Sequence, residues 1–190
     1  MKSESMKRVF IAVRIDPGEE LLKMLSAFKT VLKDESIKWT ETSNLHITLV
    51  FIGDTEERRV KEIGTILSEI CNGFGSFGLI LRGAGVFRSL RDPRIIWSGI
   101  SNSKEMDELN RSILVRLRET GSQLEDRPYN PHLTLGRIKR VNNISLLTDL
   151  LENFREKELQ KIRVSEIILY ESILRPEGPL YKPLGRYSLV

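Results

Sequence analysis

Histidine is almost missing from this chain: 190 residues carry two, His46 and His132, against 30 lysines and arginines. Cysteine is rarer still, with Cys71 alone. A single thiol forms no internal disulfide, so a reducing compartment fits and a cytoplasmic location is expected. Cys71 ends a helical pattern and reads as a buried structural thiol. No apolar run approaches the roughly 18 residues of a membrane-spanning helix, so no membrane partner is expected. At the N-terminus, MKSESMKRVFIAVRI places basic residues before an apolar run, but that run alternates and is broken by Arg14 and Asp16. It reads as a first strand rather than a leader, with the residues before Met6 an extension or tail.

Several functional signatures are absent too. There is no HExxH and no cysteine pair, and no Asp or Glu falls within the two histidine stretches, so neither a metal nor a cofactor is expected. NGFGSFG (72–78) lacks the Gly-Lys-Ser/Thr ending of a phosphate loop, precedes a strand, and reads as a turn. No Gly-x-Ser-x-Gly elbow occurs. The net charge of +4 and pI of about 9.2 tolerate an anionic partner, but no long basic run marks a nucleic-acid tail.

What is present is a repetition. LHITL (45–49) and PHLTL (131–135) hold both histidines in one pattern, His, apolar, Thr, Leu. Side chains alternate along a strand. Leu45, Ile47 and Leu49 therefore share one face, with His46 and Thr48 opposite; Leu133 and Leu135 share a face opposite His132 and Thr134. Each copy offers a packing face and a face with one imidazole and one hydroxyl. Imidazole exchanges a proton near neutrality, and a hydroxyl donates to an anionic oxygen. Doubling the pair suits in-line displacement at phosphorus, where one imidazole takes a proton from the attacking oxygen and the other gives one to the departing oxygen. The arrangement leaves open which histidine plays which part.

The surrounding pattern is strand 8–15, helix 19–33 opened by Asp16 and Pro17, strands 37–40 and 44–53, helix 55–71 and strand 77–87. A similar series follows: strand 93–100, helix 103–120 closed by Gly121, the strand of PHLTLGRI, helix 144–159 beginning near Asn143, and strands 162–174 and 181–190 joined by the turn RPEGP. The expected fold is α+β: two pseudo-symmetric lobes, each a mostly antiparallel sheet with outer helices, around a central cleft. Internal duplication would explain the doubled motif. Trp39, Trp97 and Phe51 are expected in the core. Arg137, two residues beyond Leu135, is read as sharing the face of His132 and contacting phosphate or RNA, or else forming a salt bridge at the cleft edge. Arg88, Arg91 and Arg94 lie in the basic loop FRSLRDPR, either solvated or touching RNA phosphate.

With RVFIAVRI, IKWTETSNLHITLVFIGDT, GAGVFRSLRDPRIIWSGI, RPYNPHLTLGRI and LYESILRPEGPLYKPLGRYSLV in place, the chain resembles the 2H phosphoesterase superfamily. Within it, the resemblance is to the RNA 2',3'-cyclic phosphodiesterases, also called 2'-5' RNA ligases. It covers nearly the whole chain and implies a single domain over 1–190, made of two interleaved lobes, with one HxTL motif at 46–49 and one at 132–135. It implies metal-independent opening of a 2',3'-cyclic phosphate at an RNA 3' end to a 2'-phosphate, with reverse 2'-5' ligation open to the same site. His46 would be the proton donor, His132 the proton acceptor, and Thr48 and Thr134 the phosphate ligands. Tyr129 replaces the family's usual phenylalanine and would stack on a base. The expected partner is RNA with a cyclic phosphate end, handled by a monomer in RNA processing. Two other readings stand beside it: a related enzyme acting on small cyclic nucleotides or 2'-5' oligonucleotides, and a non-catalytic RNA-binding module.

Overall fold

The computed structural model describes residues 6–101, 104–126 and 128–190. The expected tail before Met6 and the expected helix start at 103 lie outside these residues. The strands are β1 Met6–Arg14, β2 Ser36–Trp39, β3 His46–Glu56, β4 Phe77–Ser89, β5 Asp92–Ser101, β6 Leu133–Arg140, β7 Glu158–Val164, β8 Glu166–Ile173 and β9 Leu180–Ser188. The helices are α1 Glu19–Val31, α2 Glu57–Cys71, α3 Lys104–Glu119 and α4 Ile144–Phe154.

Helical spacing brings Leu21, Met24, Leu25 and Phe28 of α1 to one buried face. In the same way α3 buries Met106, Leu109, Asn110, Ile113 and Leu117. The α1 N-cap is Gly18, whose N–H donates to Gln160 Oε1 at 2.8 Å. Asp16, expected to cap, instead pairs with Arg14. Asn143 does cap α4, accepting from the Leu146 N–H.

All pairings are antiparallel, in the order β7-β4-β5-β6-β3-β1-β8-β9, with β2 added beside β6. The motif strands β3 and β6 meet at one pair, Ile47 with Leu133, and then part. They divide the sheet into two arms. One is β3-β1-β8-β9, covered by α2 and α3; the other is β6-β5-β4-β7, covered by α1 and α4. In each arm the motif strand pairs with a strand that precedes it in its own half of the chain. That strand pairs in turn with one from the other half, so the lobes exchange strands. Among the described residues β2 has no counterpart in the other arm.

Two expectations about the last third are corrected. The helix over 144–159 stops at Phe154, because Glu158–Val164 pairs with β4. The strand over 162–174 is two strands separated by Ser165, β7 at one edge of the sheet and β8 next to the opposite edge strand. One residue spans only about 3.6 Å, so the sheet must curl until its ends approach. The core fills the space between its convex face and the helices. Among the described residues no helix is long and apolar enough to cross a membrane.

Candidate active site

The concave side holds a cavity of about 610 Å³ lined by His46, Thr48, His132, Thr134 and Arg137. That volume suits a ligand of nucleotide size. Both motifs therefore reach one site, as alternation requires: Leu45, Ile47, Leu49, Leu133 and Leu135 are buried in the core behind them.

The imidazoles are held alike. His46 Nδ1 lies 2.6 Å from the Asn44 carbonyl, and His132 Nδ1 lies 2.8 Å from the Asn130 carbonyl. A carbonyl only accepts, so each Nδ1 carries the proton and each neutral ring keeps Nε2 as a base. The shared stretch is thus Asn-x-His-x-Thr-Leu. Sequence reasoning missed its first residue, although the asparagine two places before each histidine is plain in the chain. Burial depresses both imidazoles below their ordinary value, and the Arg137 cation pushes each the same way. His132 further depresses His46, so the two rings sense each other's charge.

Strict alternation breaks immediately after each threonine. Opposite β1, Thr48 faces Ala12 and Val50 faces Ile11, leaving Leu49 as an extra residue. Opposite β5, Thr134 faces Trp97 and Gly136 faces Ile96, leaving Leu135 as an extra residue. Each motif leucine is a β-bulge, which inverts the facing of everything beyond it. Arg137 and His132 stand an odd number of positions apart, so unbroken alternation would put them on opposite faces. The bulge brings Arg137 into the cavity. It makes no ion pair or side-chain hydrogen bond with any described residue, so the salt-bridge alternative is not found. The other bulge corrects the reading of Phe51: it is 47% exposed rather than core, with Arg8 stacked 5.0 Å above its ring.

The bulge carbonyls find new partners. Leu49 O accepts from Asn110 Nδ2 at 2.7 Å, and Leu135 O accepts from the Thr40 N–H at 2.9 Å. Tyr129 donates to Thr48 O at 3.3 Å and packs on the core. It does not line the cavity, which corrects its reading as a base-stacking residue.

Aromatic walls flank both histidines. Phe10 and Tyr181 lie 5.1 and 5.0 Å from the His46 ring, and Phe87 lies 4.6 Å from the His132 ring. Trp97 packs beside Phe87 at 5.4 Å, on the concave face rather than in the core. Its ring lies so flat on Gly85 that a Cβ there would stand 2.3 Å from it. Trp39 is packed against the core but also lines the cavity. Arg88 and Arg94 both pair with Asp92; they and Arg91 lie on the β4–β5 hairpin outside the cavity lining. Cys71 is buried and its thiol is pushed up to about 11 by desolvation. Among the described residues no group of three or more His, Cys, Asp or Glu is placed to hold a metal ion.

Comparison with known proteins agrees with this architecture. The family described as "LigT like Phosphoesterase" matches residues 13–97 and again 100–181, one HxTL stretch in each match. The RNA 2',3'-cyclic phosphodiesterase of Methanothermobacter thermautotrophicus is 36% identical over 96% of this chain and 98% of its own. That of Archaeoglobus fulgidus is 33% identical over 93% of this chain and 97% of its own. Among solved structures, TT0787 of Thermus thermophilus superposes with a TM-score of 0.79 at 24% identity, covering 96% of this chain and 97% of that one. LigT of E. coli gives 0.74 at 22% identity over 99% of both chains. These two establish a shared fold.

Proposed function

The chain belongs to the LigT-like phosphoesterase family, and from that premise we propose that it hydrolyses the 2',3'-cyclic phosphate at an RNA 3' end to a 2'-phosphate without a metal. The observation that carries this is the pair of Nδ1-anchored imidazoles facing one cavity beside two threonines and an unpaired arginine. The activity named for the relatives supports the substrate.

In this reading the cyclic phosphate lies between the motifs, with its non-bridging oxygens on the Thr48 and Thr134 hydroxyls and on Arg137. His132 Nε2 takes a proton from water as the oxygen attacks phosphorus. The P–O3' bond breaks, and His46, entering as imidazolium, gives its Nε2 proton to O3'. The product keeps phosphate on O2'. Each histidine ends in the other's starting state, and bulk solvent resets both. The same displacement, with an RNA 5' hydroxyl in place of water, would form a 2'-5' linkage. The donor and acceptor assignments rest on the family resemblance, as do the single-domain organisation and a monomeric state. Two tandem family matches support internal duplication.

The test is an oligonucleotide ending in a 2',3'-cyclic phosphate, incubated with EDTA and analysed for its product. A 2'-phosphate is expected; a 3'-phosphate, or no opening, refutes the assignment. A 3'-thio leaving group departs without a proton. It should restore turnover to His46→Ala and not to His132→Ala, and the reverse result would exchange their roles.

A further inference from the structure

The cavity contains more positive charge than the proposed reaction uses. Besides Arg137 it is lined by Lys38 and Arg175. Neither makes an ion pair or side-chain hydrogen bond with any described residue, whereas many surface arginines and lysines are paired, as in Arg116 with Glu69 and Lys157 with Glu20. Glu41 and Glu177 also line the cavity, yet no ion pair joins them to these cations.

Lys38 lies directly across from Arg137 in the β2–β6 register. Like charges facing each other across strands destabilise a sheet, and no described carboxylate forms an ion pair with either of them. β2, which carries Lys38, is the strand that the other arm lacks. The lysine side chain lies beside the turn between β8 and β9: its Nζ lies 3.5 Å from where a Cβ on Gly178 would stand. Arg175 begins that turn, and its carbonyl accepts the Gly178 N–H. The turn is tied to the first motif, because Asn44 Nδ2 donates to Pro179 O at 3.1 Å. Two cations, one from β2 and one from the β8–β9 turn, thus line one cavity.

Arg137 is among the charges that depress both imidazoles, and Lys38 and Arg175 are not. The proposed reaction places Arg137 with the reacting phosphate; Lys38 and Arg175 line the same cavity and have no part in that reaction.

We infer that Lys38 and Arg175 form a subsite for the phosphodiester one nucleotide upstream of the terminal cyclic phosphate, so that the enzyme selects polynucleotide ends over mononucleotide cyclic phosphates. This rests on the hydrolytic reading above. A single charged contact of this kind typically changes affinity about tenfold or more. The experiment compares kcat/KM for a nucleoside 2',3'-cyclic phosphate with a free 5' hydroxyl and for a dinucleotide ending in the same group. The dinucleotide should be favoured about tenfold or more, chiefly through KM. A neutral methylphosphonate linkage should abolish that preference in the unaltered protein. Lys38→Ala and Arg175→Ala should each draw the ratio of the two substrates toward one and flatten the salt dependence of the dinucleotide's KM by about 0.7 in log–log slope. Equal use of both substrates, an intact preference across the methylphosphonate, or equal losses on both substrates in the variants would overturn the subsite while leaving hydrolysis standing. If neither substrate is opened, hydrolysis is refuted instead. Calorimetric binding of the same two molecules then decides the subsite: tighter binding of the dinucleotide supports it, and equal affinities overturn it.

Discussion

The two arms of the sheet hold their histidines in the same way and surround them differently. In both, an asparagine carbonyl fixes Nδ1 and a bulged leucine follows the threonine. Five positions after each histidine the arms diverge: Phe51, with Arg8 stacked on it, occupies one and the unpaired Arg137 the other. The His46 side has Phe10 and Tyr181 against the ring; the His132 side has Phe87. In the proposed reaction, what is repeated is the geometry of proton transfer, and what differs is recognition, with one arm turning an aromatic toward the concave face and the other a cation. Proton transfer at two oxygens in line demands near-equivalent partners, whereas a nucleotide has a base on one side and phosphates on the other.

The strongest challenge to this equivalence is to remove one histidine at a time. His46→Ala and His132→Ala should each lower kcat on the cyclic-phosphate oligonucleotide by about 10²–10⁴-fold. The double variant should be little worse than either, because residues that act as one unit do not add. Single-turnover rates measure this. A loss confined to one variant would show that only one arm is catalytic.

The bulges offer the next test, because they are supported unequally. Leu135 O is satisfied by the main chain of Thr40, while Leu49 O depends on the Asn110 side chain. Asn110→Ala leaves a buried carbonyl without its partner, at a cost of about 1–3 kcal/mol. For a chain this size each kcal/mol lowers Tm by about 2–4 °C. Calorimetry should show that drop. Thr48, whose carbonyl precedes the bulge, should lose more of its contribution to turnover than Thr134.

Burial first, and Arg137 after it, should hold the pH profile of the site low. Both imidazoles lie below their ordinary value, and the reaction needs one neutral and one protonated. The bell of kcat/KM reports the free enzyme and peaks midway between the two values. Its maximum should therefore fall below pH 6.5, the ordinary histidine value. A cation disfavours a second positive charge beside it, so removing it raises both imidazoles. Arg137→Ala should shift the bell toward higher pH, besides weakening phosphate binding. A profile that keeps its position would mean that the guanidinium acts on substrate alone.

Much of this site was legible because alternation is a local rule. His46 with Thr48, and His132 with Thr134, face the cavity as their spacing requires, and the leucines between them are buried. The bulges were not legible, since Leu49 and Leu135 are ordinary strand residues and the extra position appears only when a neighbour pairs. That is why Phe51 was misplaced. The division at Ser165 was hidden for the same reason: KIRVSEIILYESIL is strand-forming throughout, and only pairing with β4 on one side and β1 on the other splits it. RPEGP was readable as a turn but not as a wall of the cavity, because its position depends on Asn44, far away in the chain.

The smallest expected effect separates the asparagines. Both hold a histidine through the main-chain carbonyl, which alanine retains, so neither substitution should disturb the tautomer or the pH profile. Among the described residues only Asn44 has a second role, since its side chain donates to Pro179 O and fastens the turn that carries Arg175 to the first motif. A typical intramolecular hydrogen bond contributes about 0.5–1.5 kcal/mol, or about 2- to 10-fold. Asn44→Ala should raise KM for an oligonucleotide within that range and leave kcat nearly unchanged, whereas Asn130→Ala should alter neither. Steady-state kinetics on one oligonucleotide settles it. If both variants lose kcat equally, the side chains themselves orient the imidazoles and the arms are more alike than their surroundings indicate.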